Sequence, residues 1–164
     1  MTVTGKRPFT VKLLAVLHGF LGIGAVFGGG ALVIDPSGQM LGMPTDIMQL
    51  PVFPDYLIPG IILLLVLGLA PLGIMISLLL RREWRLGEKL NLFRPMHWSW
   101  SFSLYVAFAL IIWIMVQLYI IKTTEWIHLV YVALGLAIQV VTLLPSVRNH
   151  FEIGRESGQG ITMN

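Results

Sequence analysis

The sequence predicts an all-α integral membrane protein: a four-helix up-down-up-down bundle with a short interfacial helix or capping loop on its external side. Three observations lead there. Tyr56 to Leu80 is an unbroken run of 25 uncharged residues closed by Arg81 and Arg82, and as a helix it would reach about 37 Å, more than the ~30 Å hydrocarbon core of a bilayer. Three further uncharged runs approach it in length. Charged residues make up 12% of the chain against about 25% in an average soluble domain, too few to cover a water-facing surface. The 164 residues read as one transmembrane domain.

Met1 to Lys12 is polar and basic, and Leu13 to Ile34 follows as 22 uncharged residues, the first span. That run is longer than the apolar region of a signal peptide, and Val33-Ile34-Asp35-Pro36 is a poor cleavage site, so an uncleaved helix is expected. Residues 35–55 form the external loop, with four prolines, three aspartates and no lysine or arginine. Asp35-Pro36-Ser37-Gly38 is turn chemistry, and Pro44 suits the first turn of a short helix to Leu50. Asp55 suits the N-cap of the second span, 56–80. Pro71 within that span removes a backbone donor and predicts a bend near Leu67 to Pro71.

The loop 81–97 holds five of the eleven basic residues. Leu86, Leu90 and Phe93 recur at helical spacing, with Arg82, Arg85 and Lys89 on another face as candidate lipid-headgroup contacts. Trp98 to Ile121 is the third span, with Trp98, Trp100 and Tyr119 expected as interfacial anchors. The four residues 122–125 join it to the fourth span, Trp126 to Pro145, as an antiparallel hairpin, and the tail 146–164 is expected to fray. Ten of the eleven lysines and arginines then fall on one side and Lys122 alone on the other. The positive-inside rule places both termini and the tail in the cytoplasm. The same rationing by side argues against a nucleic-acid partner, whose electrostatic footprint is a gathered basic patch.

Polar residues inside spans are the functional leads. His18, Gly22, Ala25 and Gly29 share one face of the first span, and Gly24 and Gly28 form a GxxxG on an adjacent face. His18 and Gln139 both lie about 9 Å deep from the basic side, which predicts an inner polar cluster. Gln117, His128 and Asp55 would form an outer one. Beside this stands the plainer reading of helix packing, in which a cross-helix side-chain hydrogen bond contributes about 0.6 kcal/mol. No cofactor is expected: haem needs histidine pairs at matched depth on facing helices, and His97 lies at the boundary while His128 has no outer histidine partner. The chain has no cysteine, and no carboxylate inside a span could join a histidine on a metal. No catalytic triad, paired intramembrane carboxylates or nucleotide-binding glycine pattern is visible, so no catalytic residue is assigned.

Asp35-Pro36-Ser37-Gly38, Leu41-Gly42-Met43-Pro44 and Asp55-Tyr56-Leu57-Ile58-Pro59-Gly60, with Trp113…Gln117 and Tyr131…Leu134-Gly135, resemble the pattern of small bacterial four-span membrane proteins of unknown function. The resemblance covers most of residues 11–145 and implies a multi-pass protein of the bacterial inner membrane. It brings no activity or site residues with it. Three functional readings stay open. One is a non-enzymatic bundle that binds a lipid, a small apolar ligand or a membrane partner. Another is a small transporter or channel subunit working as a homo-oligomer, and the last is a membrane enzyme acting on a lipid through His18 or His128.

Overall fold

The computed structural model describes residues 7–43, 53–121 and 125–153. Among them the regular structure is helical, apart from one isolated backbone bridge between Met96 and Glu152. Four helices are long and apolar enough to cross a membrane: α1 (Phe9–Ile34), α2 (Leu57–Leu80), α4 (Trp98–Ile121) and α5 (Trp126–Leu143). Two short helices, α3 (Arg85–Lys89) and α6 (Pro145–Phe151), follow α2 and α5. The short helix expected over residues 44–50 lies outside the described residues. The described part of the loop contains one 3-10 turn, Gln39–Leu41.

Helix α1 starts at Phe9, one turn before the charge-free run, because Lys12 is helical and its exposed side chain can carry the ammonium away from the apolar surface. It packs along the whole of α2, α4 packs against α5, and the pairs α1–α5 and α2–α4 close the ring. Glycines explain how α1 and α2 come so close. A Cβ on Gly29 would sit 2.6 Å from the backbone N of Leu64 and 2.9 Å from the carbonyl O of Gly60, and one on Gly60 would lie 2.7 Å from Leu32 Cβ. Farther along, Gly22 meets Leu72, and Gly68 meets Val26. The face carrying His18, Gly22 and Gly29 is therefore the seam with α2, a membrane-type small-residue contact in which backbones touch.

The bend expected around Pro71 takes a specific form. Leu63–Leu69 is a π-helical stretch, with the N–H of Ala70 donating to the carbonyl of Leu65, before α-geometry resumes over Ala70–Leu80. Pro71 cannot donate and its ring crowds the carbonyl four residues back. A wider turn just ahead of it shifts the bonding register where that crowding would fall.

The ends bearing Thr10, Arg81, Trp98 and Ser146 gather into one basic end, closed by a folded platform. Asn91, 4% exposed, organises it. Its amide donates to the carbonyl of Met96 (2.5 Å) and to Glu88 Oε2 (3.3 Å), and its Oδ1 accepts from Ser101 Oγ (2.6 Å) and the N–H of Phe93 (3.0 Å). Glu88 Oε1 accepts from the N–H of Trp98, the first residue of α4. Trp98 and Trp100 are buried in this platform and not held as interfacial anchors: their indole N–H groups donate to the carbonyls of Arg82 and Thr142, both at 2.8 Å.

The tail also departs from expectation. Leu144 leaves helical geometry, Pro145 opens α6, and Val147 and Phe151 are buried, so residues 145–151 are docked helix and not frayed chain. Arg81 donates to the carbonyl of His150 and lies over the Phe151 ring, while the N–H of His97 donates to the carbonyl of Phe151. Helix α3 ends at Lys89, leaving Leu86, Leu90, Phe93, Arg82, Arg85 and Lys89 all exposed.

Candidate functional site

At the other end, the turn after α1 positions the residues that matter. Asp35 Oδ1 accepts from Ser37 Oγ (2.5 Å) and the Ser37 N–H (3.2 Å), and Oδ2 accepts from the N–H of Met40 (2.8 Å). These bonds, the Ser37 hydroxyl first, hold the Asp35 carboxyl below its usual range. Gly38 closes the turn at φ 77°, and a Cβ there would meet Met43 and the Tyr56 ring within 2.9 Å. The N–H of Tyr56 donates to the carbonyl of Pro36 (2.9 Å), lashing the start of α2 to this turn. The N-cap position of α2 is Tyr56 and not Asp55 as expected; from one residue earlier, Asp55 Oδ1 accepts from the N–H of Leu57 (2.9 Å), the first residue of the helix.

The first turns of α2 then have α1 as their main neighbour, while α4 is met mainly by the π stretch and by Ala70–Leu80. The close Gly29–Gly60 contact draws this end of α2 toward α1 and away from α4. Between them opens a cavity of about 410 Å³, lined from α2 by Pro59, Ile62, Val66 and Leu67 and from α4 by Ala109 to Ile120. Met43, Phe53, Asp55 and Tyr56 close its acidic end. Its size is that of pockets that take drug-sized ligands, about 300–1,000 Å³. Val66, Ile112 and Val116 line it and are also exposed on the outer surface, whereas Leu67 lines it at 1% exposure. The hollow therefore opens at the surface of the bundle, and the buried Leu67 forms part of its floor.

A second cavity, about 470 Å³, lies among α1, α2, α4 and α5. Gly24 and Gly28 form part of its α1 wall, and Gly24 leaves the room that the Tyr131 hydroxyl occupies. Met43, Leu67, Trp113 and Gln117 line both cavities, so among the described residues these four side chains stand between them. Gln117 thus shares one hollow with Asp55 and the other with His128. Its amide makes no hydrogen bond within the described residues, and His128 Nδ1 is taken by the N–H of Glu125 (3.1 Å) in a capping box at the start of α5. The structure thus places the three outer candidates around adjoining hollows, without direct bonds among them.

The inner candidates differ. His18 is fully buried, and its Nδ1 lies 2.9 Å from the carbonyl of Leu14. A carbonyl only accepts, so that nitrogen carries the proton and Nε2 is left as an acceptor. Nε2 of His18 and Nε2 of Gln139 both find no hydrogen-bond partner among the described residues. The Leu14 carbonyl lies four residues back in the same helix and keeps its backbone bond when the imidazole is removed, so no buried acceptor is stranded and the loss is one net hydrogen bond, about 1 kcal/mol. His18→Leu is accordingly expected to keep detergent-phase unfolding within about 1 kcal/mol of the parent. A much larger loss would assign His18 Nε2 a partner essential to the bundle.

Sequence reading missed the cavities because neither is written in polar spacing. The available signal was small: Pro59 and Gly60 in the first turns of a helix whose neighbour carries Gly29. Among the described residues no three histidine, aspartate or glutamate side chains gather as metal ligands would. No protein-family description, curated protein or solved structure matches the chain.

Proposed function

We propose that this chain is a non-enzymatic, multi-pass membrane module that admits a lipid or small apolar ligand sideways between α2 and α4. The supporting observation is the 410 Å³ cavity, apolar on nearly all sides and lined by the exposed Val66, Ile112 and Val116 and by the buried Leu67. In a bilayer that mouth faces acyl chains and not water. The helices run alternately up and down. Both termini and the basic end lie in the cytoplasm, in keeping with ten cations on that side against Lys122. The resemblance stated above suggests the bacterial inner membrane. On this reading Leu86, Leu90 and Phe93 dip into the headgroup layer while Arg82, Arg85 and Lys89 meet anionic lipid. Ligand capture is favoured over a transport path because both hollows share one end of the bundle, whereas His18 and Gln139 line neither.

The test is native mass spectrometry of protein purified in a neutral detergent. The parent chain is expected to retain a lipid-sized adduct, and Ala109→Trp, which fills the cavity from α4, to lose most of it while remaining folded. Equal adduct on both proteins would remove the cavity as the binding place.

A further inference from the structure

The polar trim of the two hollows narrows the chemistry of the occupant. Among the described lining residues the ionisable side chains are Asp55 and Tyr56 in the first cavity and Glu125, His128 and Tyr131 in the second, and neither is lined by a lysine or arginine. An anionic head would meet the Asp55 carboxylate with no lysine or arginine among the described lining residues to offset it, and would lose its hydration to a mostly apolar wall. A cationic head meets the reverse situation. Trp113 and Tyr56 line the cavity that carries Asp55, and Phe53 stands beside them. Aromatic faces next to a carboxylate are the arrangement that holds alkylammonium groups, by cation–π attraction where water is displaced. Only Oδ1 of Asp55 is engaged by the Leu57 N–H, and Gln117 adds an amide oxygen without a hydrogen bond on the same wall.

We propose that the cavity between α2 and α4 is a site for a single-chain amphiphilic cation, its alkyl chain entering between Val66 and Ile112 and its ammonium head lying between Asp55 and the Trp113 ring. The proposal rests on the lateral-cavity reading and adds charge selectivity to it. A single chain suits a drug-sized volume better than a two-chain phospholipid.

The experiment titrates the full chain in dodecyl maltoside with three probes of one chain length: dodecyltrimethylammonium, dodecanol and dodecyl sulfate, followed by tryptophan fluorescence. Trp113→Phe identifies the reporting ring. The expected result is saturable binding of the ammonium at least tenfold tighter than of dodecanol, with dodecyl sulfate weakest. Asp55→Asn should bring the ammonium and dodecanol affinities together while leaving that of dodecanol unchanged. Equal binding of ammonium and alcohol by the parent, or an ammonium preference that survives in Asp55→Asn, overturns the charge assignment and leaves the apolar cavity standing. No saturable binding of any probe overturns both. Displacement of the ammonium by phosphatidylethanolamine at comparable or tighter affinity gives the site to a two-chain aminophospholipid and overturns the single-chain assignment.

Discussion

Gly29→Val is expected to pull α1 and α2 apart and to cost about 3 kcal/mol, the upper part of the range for overpacking. The atoms that an added Cβ would strike are Leu64 N, Leu64 Cα and Gly60 O, all backbone, at 2.6–2.9 Å. A side chain could rotate away, but a helix backbone cannot, so the helices must separate along their length. Gly30 provides the control one residue on, since nothing lies within 4 Å of a Cβ there. Gly30→Ala should be neutral or up to about 1 kcal/mol more stable through helix propensity. Unfolding in mixed dodecyl maltoside–dodecyl sulfate micelles distinguishes the two, and equal midpoints would mean that the seam is not a close-packed one. Because the same contact sets the opening between α2 and α4, Gly29→Val should also lower retention of bound amphiphile.

Asn91→Ala is the second large effect, at the opposite end. Removing this side chain leaves the carbonyl of Met96 and the hydroxyl of Ser101 without a partner in a platform where Asn91 is almost wholly buried. Unpaired buried groups cost about 1–3 kcal/mol each, so a loss of about 3 kcal/mol in the same micelle assay is expected. Asn91→Asp tests the cause: it keeps the acceptor for Ser101 and Phe93 but faces the Met96 carbonyl and Glu88 with oxygen in place of the amide, and should recover little. Full stability of Asn91→Asp would show that the donor bonds to Met96 and Glu88 contribute nothing.

What could be read from the residues alone follows from what each feature needs. Four spans show because a helix that crosses lipid must be free of charge for its whole length, and a charge-free run is visible without knowing its neighbours. The small-residue face of α1 was visible for the same reason. Its partner is not, because Gly60 and Gly68 become a seam only once α2 lies against α1. The bend at Pro71 was expected, but its form depends on which carbonyls that turn must free. The start of the tail, residues 146–151, reads as frayed because its apolar signal is only the pair Val147 and Phe151, four residues apart, on a polar-looking segment. Residue type alone suggests the headgroup layer for Trp98 and Trp100, yet both rings are buried and each indole N–H is taken by a backbone carbonyl, of Arg82 and of Thr142. As for the site, depth in the membrane groups Asp55, Gln117 and His128, whereas the hollows between them come from helix divergence, which no spacing of polar residues records.

The most direct test uses the shielding of Leu67. With a chain lodged between α2 and α4 in lipid nanodiscs, nuclear Overhauser transfer should run from alkyl-chain protons to the methyl groups of Leu67 and to the Trp113 indole, as strongly as to the exposed Ile112. Transfer to Ile112 with none to Leu67 or Trp113 would mean that α2 and α4 are closed in the membrane and that no ligand enters between them.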